Sequence, residues 1–240
     1  MTDFLDRTAA AWCALAGATD AMFRPGEINV VTAEASKLAP PGWVGIVRLT
    51  DAALVTTPSD EISEQVRQLT ATVSPTLVCD PEVLFGDVLP AEVLGPTTLA
   101  YLDASMFRPD GTAGVETTTT GDEIAALEKA AGAEDADEAA VNDVTSPVFV
   151  TRAADGTITA ACGYRVWMGT IAHVCVLVHP DQRRRGLGSA VGTAATAHAL
   201  AAGFVPQWRA RRTASRALAR ALGYSYVGDQ LSYRPGMMLR

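Results

Sequence analysis

Residues 171–202 constrain the fold more than any other stretch of the chain. The apolar run Ile171-Ala172-His173-Val174-Cys175-Val176-Leu177-Val178 reads as a buried strand. It leads into Arg183-Arg184-Arg185-Gly186-Leu187-Gly188, and a Gly/Ala-rich helical run follows from Ser189 to Ala202. A strand, a glycine turn and a helix in that order gather backbone N–H groups and the positive helix end at one point. Three arginines beside the turn add permanent charge and forked donors. Together these parts suit a diphosphate, so a phosphate-bearing ligand is expected before any other residue is read.

Around this unit the chain reads as alternating helices and strands, an α/β pattern. Phe4 to Ala16 has helical spacing. Ile28 to Thr32, Trp43 to Leu49 and Ala52 to Thr56 are strand candidates, and Pro58-Ser59-Asp60 is placed to cap a helix over 61–72. Pro75 to Pro96 reads as irregular, with a lobe boundary near 92–97. Strands are expected over 97–103 and 115–119, then a helix over 123–131 capped by Gly121-Asp122. The acidic, Ala-rich stretch 134–142 reads as a solvated short helix or loop. A hairpin follows, from 148–151 through the Asp155-Gly156 turn to 157–167. After the glycine turn and its helix come a strand at 205–210 and a helix at 213–222 ended by Gly223. Two short strands close the chain, at 224–227 and 231–234.

The 240 residues are 48% hydrophobic and 19% charged, ordinary values for a globular protein. No apolar run reaches the length of a membrane span, and Asp3 and Asp6 sit where a signal peptide needs basic residues, so a cytoplasmic product is expected. Cys13, Cys79, Cys162 and Cys175 are widely spaced and read as free thiols rather than a metal site. The formal charge is −8, but it is unevenly spread. Residues 1–150 hold 24 Asp+Glu against 7 Lys+Arg, whereas residues 151–240 hold 12 Arg against 3 Asp. A basic C-terminal part within an acidic whole suits a polyanionic small ligand better than nucleic acid. The acidic part could attract a cationic acceptor or simply solubilise its surface.

Three features of residues 97–240 are similar to the GNAT superfamily of acyl-CoA N-acyltransferases. Arg183, Gly186 and Gly188 match the signature Arg/Gln-x-x-Gly-x-Gly/Ala between a strand and a helix. Val176-Leu177-Val178-His179-Pro180 resembles the lead-in, and the segment from Ser215 to Leu222-Gly223-Tyr224 resembles the helix that ends in Leu-Gly-Phe/Tyr. The resemblance implies a mixed central β-sheet flanked by helices, preceded by an additional N-terminal α/β lobe over residues 1–96. That lobe is either a degenerate half-copy of the same fold or a cover for the acceptor site.

The resemblance also implies acetyl-CoA as cofactor and an amine acceptor as second substrate, with no nucleic-acid or membrane partner; a homodimer is compatible with it. Amides of Arg184, Arg185, Gly186, Leu187, Gly188 and Ser189 would bind the pyrophosphate, reinforced by the Arg183–Arg185 side chains. Backbone groups of Val176 and Val178 would pair with pantetheine where this strand splays from the next, and Ser215 falls near the cofactor. The family's base positions fall on Ala172 and Val174, and its Asn and general-acid Tyr positions on Arg212 and Ala219. These are departures, so the catalytic machinery is not at its usual places. His173 lies between the base positions and becomes the candidate base if a β-bulge turns it inward; the competing reading is a packed, hydrogen-bonded histidine. Tyr224 and Tyr233 are alternative acids, and Tyr164, Trp167 and Trp208 could line an acceptor pocket or the core. An acyl-CoA-binding module without turnover is the other reading these departures leave open.

Overall fold

The computed structural model of the chain describes residues 3–18, 23–86, 90, 92–118 and 121–236. In chain order the elements are α1 (Asp3–Ala16), β1 (Ile28–Thr32), β2 (Val44–Leu49), β3 (Ala52–Thr57), α2 (Asp60–Thr70), α3 (Pro81–Phe85), β4 (Val93–Tyr101) and β5 (Glu116–Thr118). They continue with α4 (Gly121–Ala131), α5 (Ala133–Ala139), β6 (Val148–Arg152), β7 (Ile158–Trp167), β8 (Ile171–Val178), α6 (Leu187–Ala201), β9 (Val205–Ala210), α7 (Thr213–Ala221) and β10 (Ser225–Tyr233). The α/β class expected from the sequence holds. Thr119, the last residue of the expected strand 115–119, lies outside the described residues, as do 87–89 and 91 of the stretch read as irregular. Among the described residues no helix is long and apolar enough to cross a membrane. The chain divides into two compact units, Met1–Leu99 with Tyr226–Arg240, and Ala100–Ser225.

In the first unit the strands lie in the order β1-β3-β2-β10-β4. β1 runs parallel to β3, and β2 is antiparallel to both β3 and β10. Every residue of β2 and β3 is buried, which explains why both read as continuous apolar runs rather than alternating ones. Arg48 interrupts that pattern, and its cross-strand partner Asp229 answers it at 2.6 Å. Ser59 caps α2 by accepting from the Ile62 amide. The stretch 75–96 is more ordered than expected: Asp80 caps α3, accepting from the amides of Glu82 and Val83, and β4 begins at Val93.

The two closing strands expected at 224–227 and 231–234 are one continuous strand, β10. Gly228-Asp229 resembles a turn signal, but a Cβ on Gly228 would lie 1.8 Å from the Arg48 carbonyl oxygen. The glycine is there for close approach to β2, not for a turn.

The second unit is a mixed sheet in the order β9-β8-β7-β6-β5. β5 to β8 are antiparallel neighbours, and β9 returns parallel to β8 after the α6 crossover. Strand alternation sends β8 side chains to two cores. Ala172 and Val174 pack with Val191, Ala195 and Ala199 of α6 and Ala219 of α7. Cys175 and Leu177 pack on the other face with Ile124 and Leu127 of α4 and Ala139 of α5. The four cysteines are free and buried.

Candidate active site

The site in the second unit is built on the connection from β8 to α6. Past Val178, His179 closes a single tight turn over Pro180–Gln182, its side chain accepting from the Asp181 amide. Arg183 is extended, Arg184 adopts φ +65°, and Gly186 N-caps α6 at φ +78°. A non-glycine residue in the left-handed region is uncommon, and such strain concentrates at ligand-binding turns. The first helical bond of α6 runs from the Ala190 amide to the Gly186 carbonyl. The amides of Leu187, Gly188 and Ser189 therefore head the helix ahead of that bond, and Gly186 at the N-cap has no side chain with which to cap them. Gly186 is needed for its backbone angle, since an added Cβ meets nothing within 4 Å. Gly188 is needed for packing, since its Cβ would come to 3.2 Å from Val178 Cγ2 and 3.3 Å from Leu218 Cδ2.

From this turn a groove of about 400 Å³ runs back between β8 and β9. The two strands pair only over Ile171–His173 and Val205–Gln207, and beyond that they part. The free edge of β8 is the one facing the gap. The His179 amide bonds the Thr159 carbonyl, so the amide and carbonyl of Val178, and two residues back of Val176, point away from β7. Val178 O accepts from Arg183 Nε at 3.4 Å, which confirms that direction. The groove is lined by Val176, Val178, Arg183, Arg184, Gly186, Leu187, Gly188, Ser189, Ser215 and His173, so the structure gathers nearly all the residues singled out from the sequence. Arg185 is not in that lining; it bonds Gln182 instead. Ser215 Oγ accepts from the Trp208 indole N–H at 2.9 Å. Trp208 is core as well as lining, edge-on to Tyr224.

Acidic α5 sits at the groove mouth. Asp135 pairs with Arg183 and with Arg212, Glu134 pairs with Arg212, and Glu138 pairs with Arg211. The stretch 134–142, expected as a solvated short helix or loop, holds the short helix α5, whose carboxylates also pair with Arg183, Arg211 and Arg212. The pattern was hidden because the partners lie far apart along the chain.

At the closed end, where β8 and β9 still pair, stand His173, Gln207 and Arg209. The register of β8 against β7 is unbroken from Trp167↔Ile171 to Ala160↔Val178, so the bulge that would turn His173 is absent. His173 stays on the face it shares with its β7 partner Arg165 and stacks on Trp167 at 4.7 Å. Burial, aided by Arg209 and Arg165, pushes its pKa down to about 3. The ring is therefore neutral across the physiological range and a weak proton acceptor. Cys175 on the same strand is pushed up to about 12 by burial, which removes it as a nucleophile near neutrality. Tyr224 donates to or accepts from Thr196, and burial holds its hydroxyl well above the ordinary tyrosine range. Tyr164 bonds His198 within the core, and Tyr233 belongs to the first unit, edge-on to Phe85. Sequence reading missed Gln207 and Arg209. The only hint was two long polar side chains in a strand otherwise fit for the core.

Residues 150–233 match the family model described as GNAT acetyltransferase. This region belongs to the GNAT superfamily. The match supports an enzyme of the N-acetyltransferase type, with acyl transfer as its chemistry. Similar solved structures include a GCN5-related N-acetyltransferase from Kribbella flavida, 22% identical over 61% of this chain and 61% of that one, with TM-score 0.43. A GNAT-family acetyltransferase from Colwellia psychrerythraea is 13% identical over 74% of each chain, with TM-score 0.48. The present chain thus spans less than two thirds of the Kribbella protein. No curated protein matches it.

Proposed function

We propose that the groove binds acetyl-CoA and that the protein transfers its acetyl group to an amine. The observation that carries this reading is the parting of β8 from β9 directly ahead of the uncapped α6 N-terminus. The diphosphate would lie on the amides of Leu187 to Ser189, with Arg183 and Arg184 beside it. Pantetheine amides would pair with the gap-facing backbone of Val176 and Val178, as an added strand does. The thioester would then reach the closed end near His173. There the chain supplies positioning and dipoles rather than a strong base, and holding the reactants in place can contribute about 7–11 kcal/mol. The amine must arrive neutral; its nitrogen attacks the thioester carbonyl, the C–S bond breaks, and the amine's proton passes through solvent to the departing CoA thiolate. Titration calorimetry with CoA tests the site. Gly188→Glu puts a carboxylate among the phosphate donors and should abolish binding, whereas unchanged affinity in that variant removes the proposed site.

A second reading has its own observation. Ala172, Val174 and Ala219 occupy the family's usual base and acid positions, and His173 is held neutral. These favour a module that binds acyl-CoA without turning it over. Free-thiol release from acetyl-CoA across a broad amine panel separates the two: binding with no thiol release on any amine selects the second.

A further inference from the structure

The closed end of the groove is over-supplied with positive charge. Arg209 projects there from β9, its Nε buried and without a hydrogen-bond partner. Among the described residues no carboxylate lies within 4.0 Å of it. Its guanidinium is set over the Trp167 ring at 5.4 Å, and Arg165 approaches the same ring at 5.9 Å. Only Arg165 has an acid, the exposed Asp143 at 3.4 Å. Beside Arg209, His173 Nδ1 and Gln207 Oε1 are buried and face each other across the register without a well-formed hydrogen bond. The Gln207 amide nitrogen is already committed to the Tyr101 hydroxyl at 2.6 Å. His173 and Gln207 are direct register partners, and Arg209 lies two residues beyond Gln207 on the same face. The unpartnered Arg209 Nε thus lies next to the His173–Gln207 pair, and both His173 and Arg209 line the groove. A half-buried cation with no carboxylate beside it is an arrangement that an anionic ligand would complete.

We propose that this end of the groove receives a carboxylate, held by Arg209. This rests on the acyl-transfer reading and narrows its substrate class. The carboxylate belongs either to the acceptor, as in an amino acid whose amine is acylated, or to the acyl chain, as in the thioester of a dicarboxylic acid. A guanidinium presents donors in a plane that matches a carboxylate, which a lysine at this position could not do.

Two comparisons test the assignment and tell the sources apart. The first follows thiol release from acetyl-CoA with amino acids and with the amines left by their decarboxylation. The second measures binding of succinyl-CoA against acetyl-CoA by calorimetry. Each is run on the wild-type protein, on Arg209→Gln and on Arg209→Lys, with thermal melting as the check on folding. The expected result is a preference of tenfold or more for the carboxylate-bearing member in one comparison. It should be lost in Arg209→Gln and partly kept in Arg209→Lys, which also serves if the glutamine variant does not fold. Equal treatment of both members in both comparisons, or a preference that survives Arg209→Gln, overturns the assignment. If the wild-type protein binds no CoA at all, the acyl-transfer reading fails first. CoA binding without any carboxylate preference removes this assignment alone.

Discussion

Replacing Asp135 by Asn should tighten CoA binding. Asp135 is largely covered, with 16% of its side chain exposed, and bridges Arg183 and Arg212 at 2.5 Å each. Both arginines line the groove, and both are 42% exposed. A diphosphate arriving at α6 must draw Arg183 from this carboxylate or share it, and must also approach the carboxylate's own negative charge. Exposed ion pairs are worth ~0.2–1 kcal/mol each. Arg212 stays paired with Glu134, so only the Arg183 pair is released in advance, which gains about 0.2–1 kcal/mol, or about 1.4- to 5-fold in Kd. Asn keeps the size of Asp, so packing in α5 is undisturbed. Calorimetry with CoA at low and high ionic strength is the assay. The gain should shrink as salt rises, because the competition is between charges at the rim. Weaker binding in Asp135→Asn would refute the reasoning, for it would mean that the carboxylate holds the arginines in their binding positions rather than occupying them.

Gly186→Ala should lower stability by about 1–2 kcal/mol, the cost of a Cβ at φ +78° where no atom otherwise obstructs it; an unchanged denaturant midpoint would show that the turn is not held at that angle. Gly228→Ala should be far worse, by about 3 kcal/mol or more, because its Cβ would lie 1.8 Å from a backbone oxygen of β2 that cannot rotate away. Urea unfolding with two resolved transitions should place that loss in the first unit. His173 is neutral when folded but binds a proton near its ordinary pKa of 6.5 when unfolded. The unfolded chain thus takes up more protons below pH 6.5, and stability falls as pH drops from there towards about 3, by at most about 1.4 kcal/mol per unit. His173→Gln should flatten that part of the stability profile, and an imidazole titration near 6.5 by NMR would contradict the burial argument.

What could be read from the sequence was local. The strand–turn–helix at 171–202 declares itself because apolar run, glycines and helical composition are contiguous, and the structure reproduces it to within two residues at the α6 start. Ser59 and Gly223 were legible for the same reason, each acting on amides or angles next to it. The errors all involve partners distant in sequence. Gly228 looks like a turn residue until β2 is laid against it. Asp135 looks solvated until Arg183, 48 residues away, is brought to it.

Arg209 is the sharpest instance of that limit. In Val205-Pro206-Gln207-Trp208-Arg209-Ala210 the period of two marks a strand with Gln207 and Arg209 on one face and Trp208 on the other. Such a pattern ordinarily means that the polar face meets water. Here Gln207 is fully buried and the Arg209 Nε is shut off from solvent, while the rest of Arg209 lines the groove. Periodicity fixes which side chains share a face, but only the packing of neighbouring strands decides whether that face is solvent, core or site. Whether such a face is core or site is therefore decided by its neighbours, and at Arg209 the absence of a nearby carboxylate among the described residues is what supports the proposed anion.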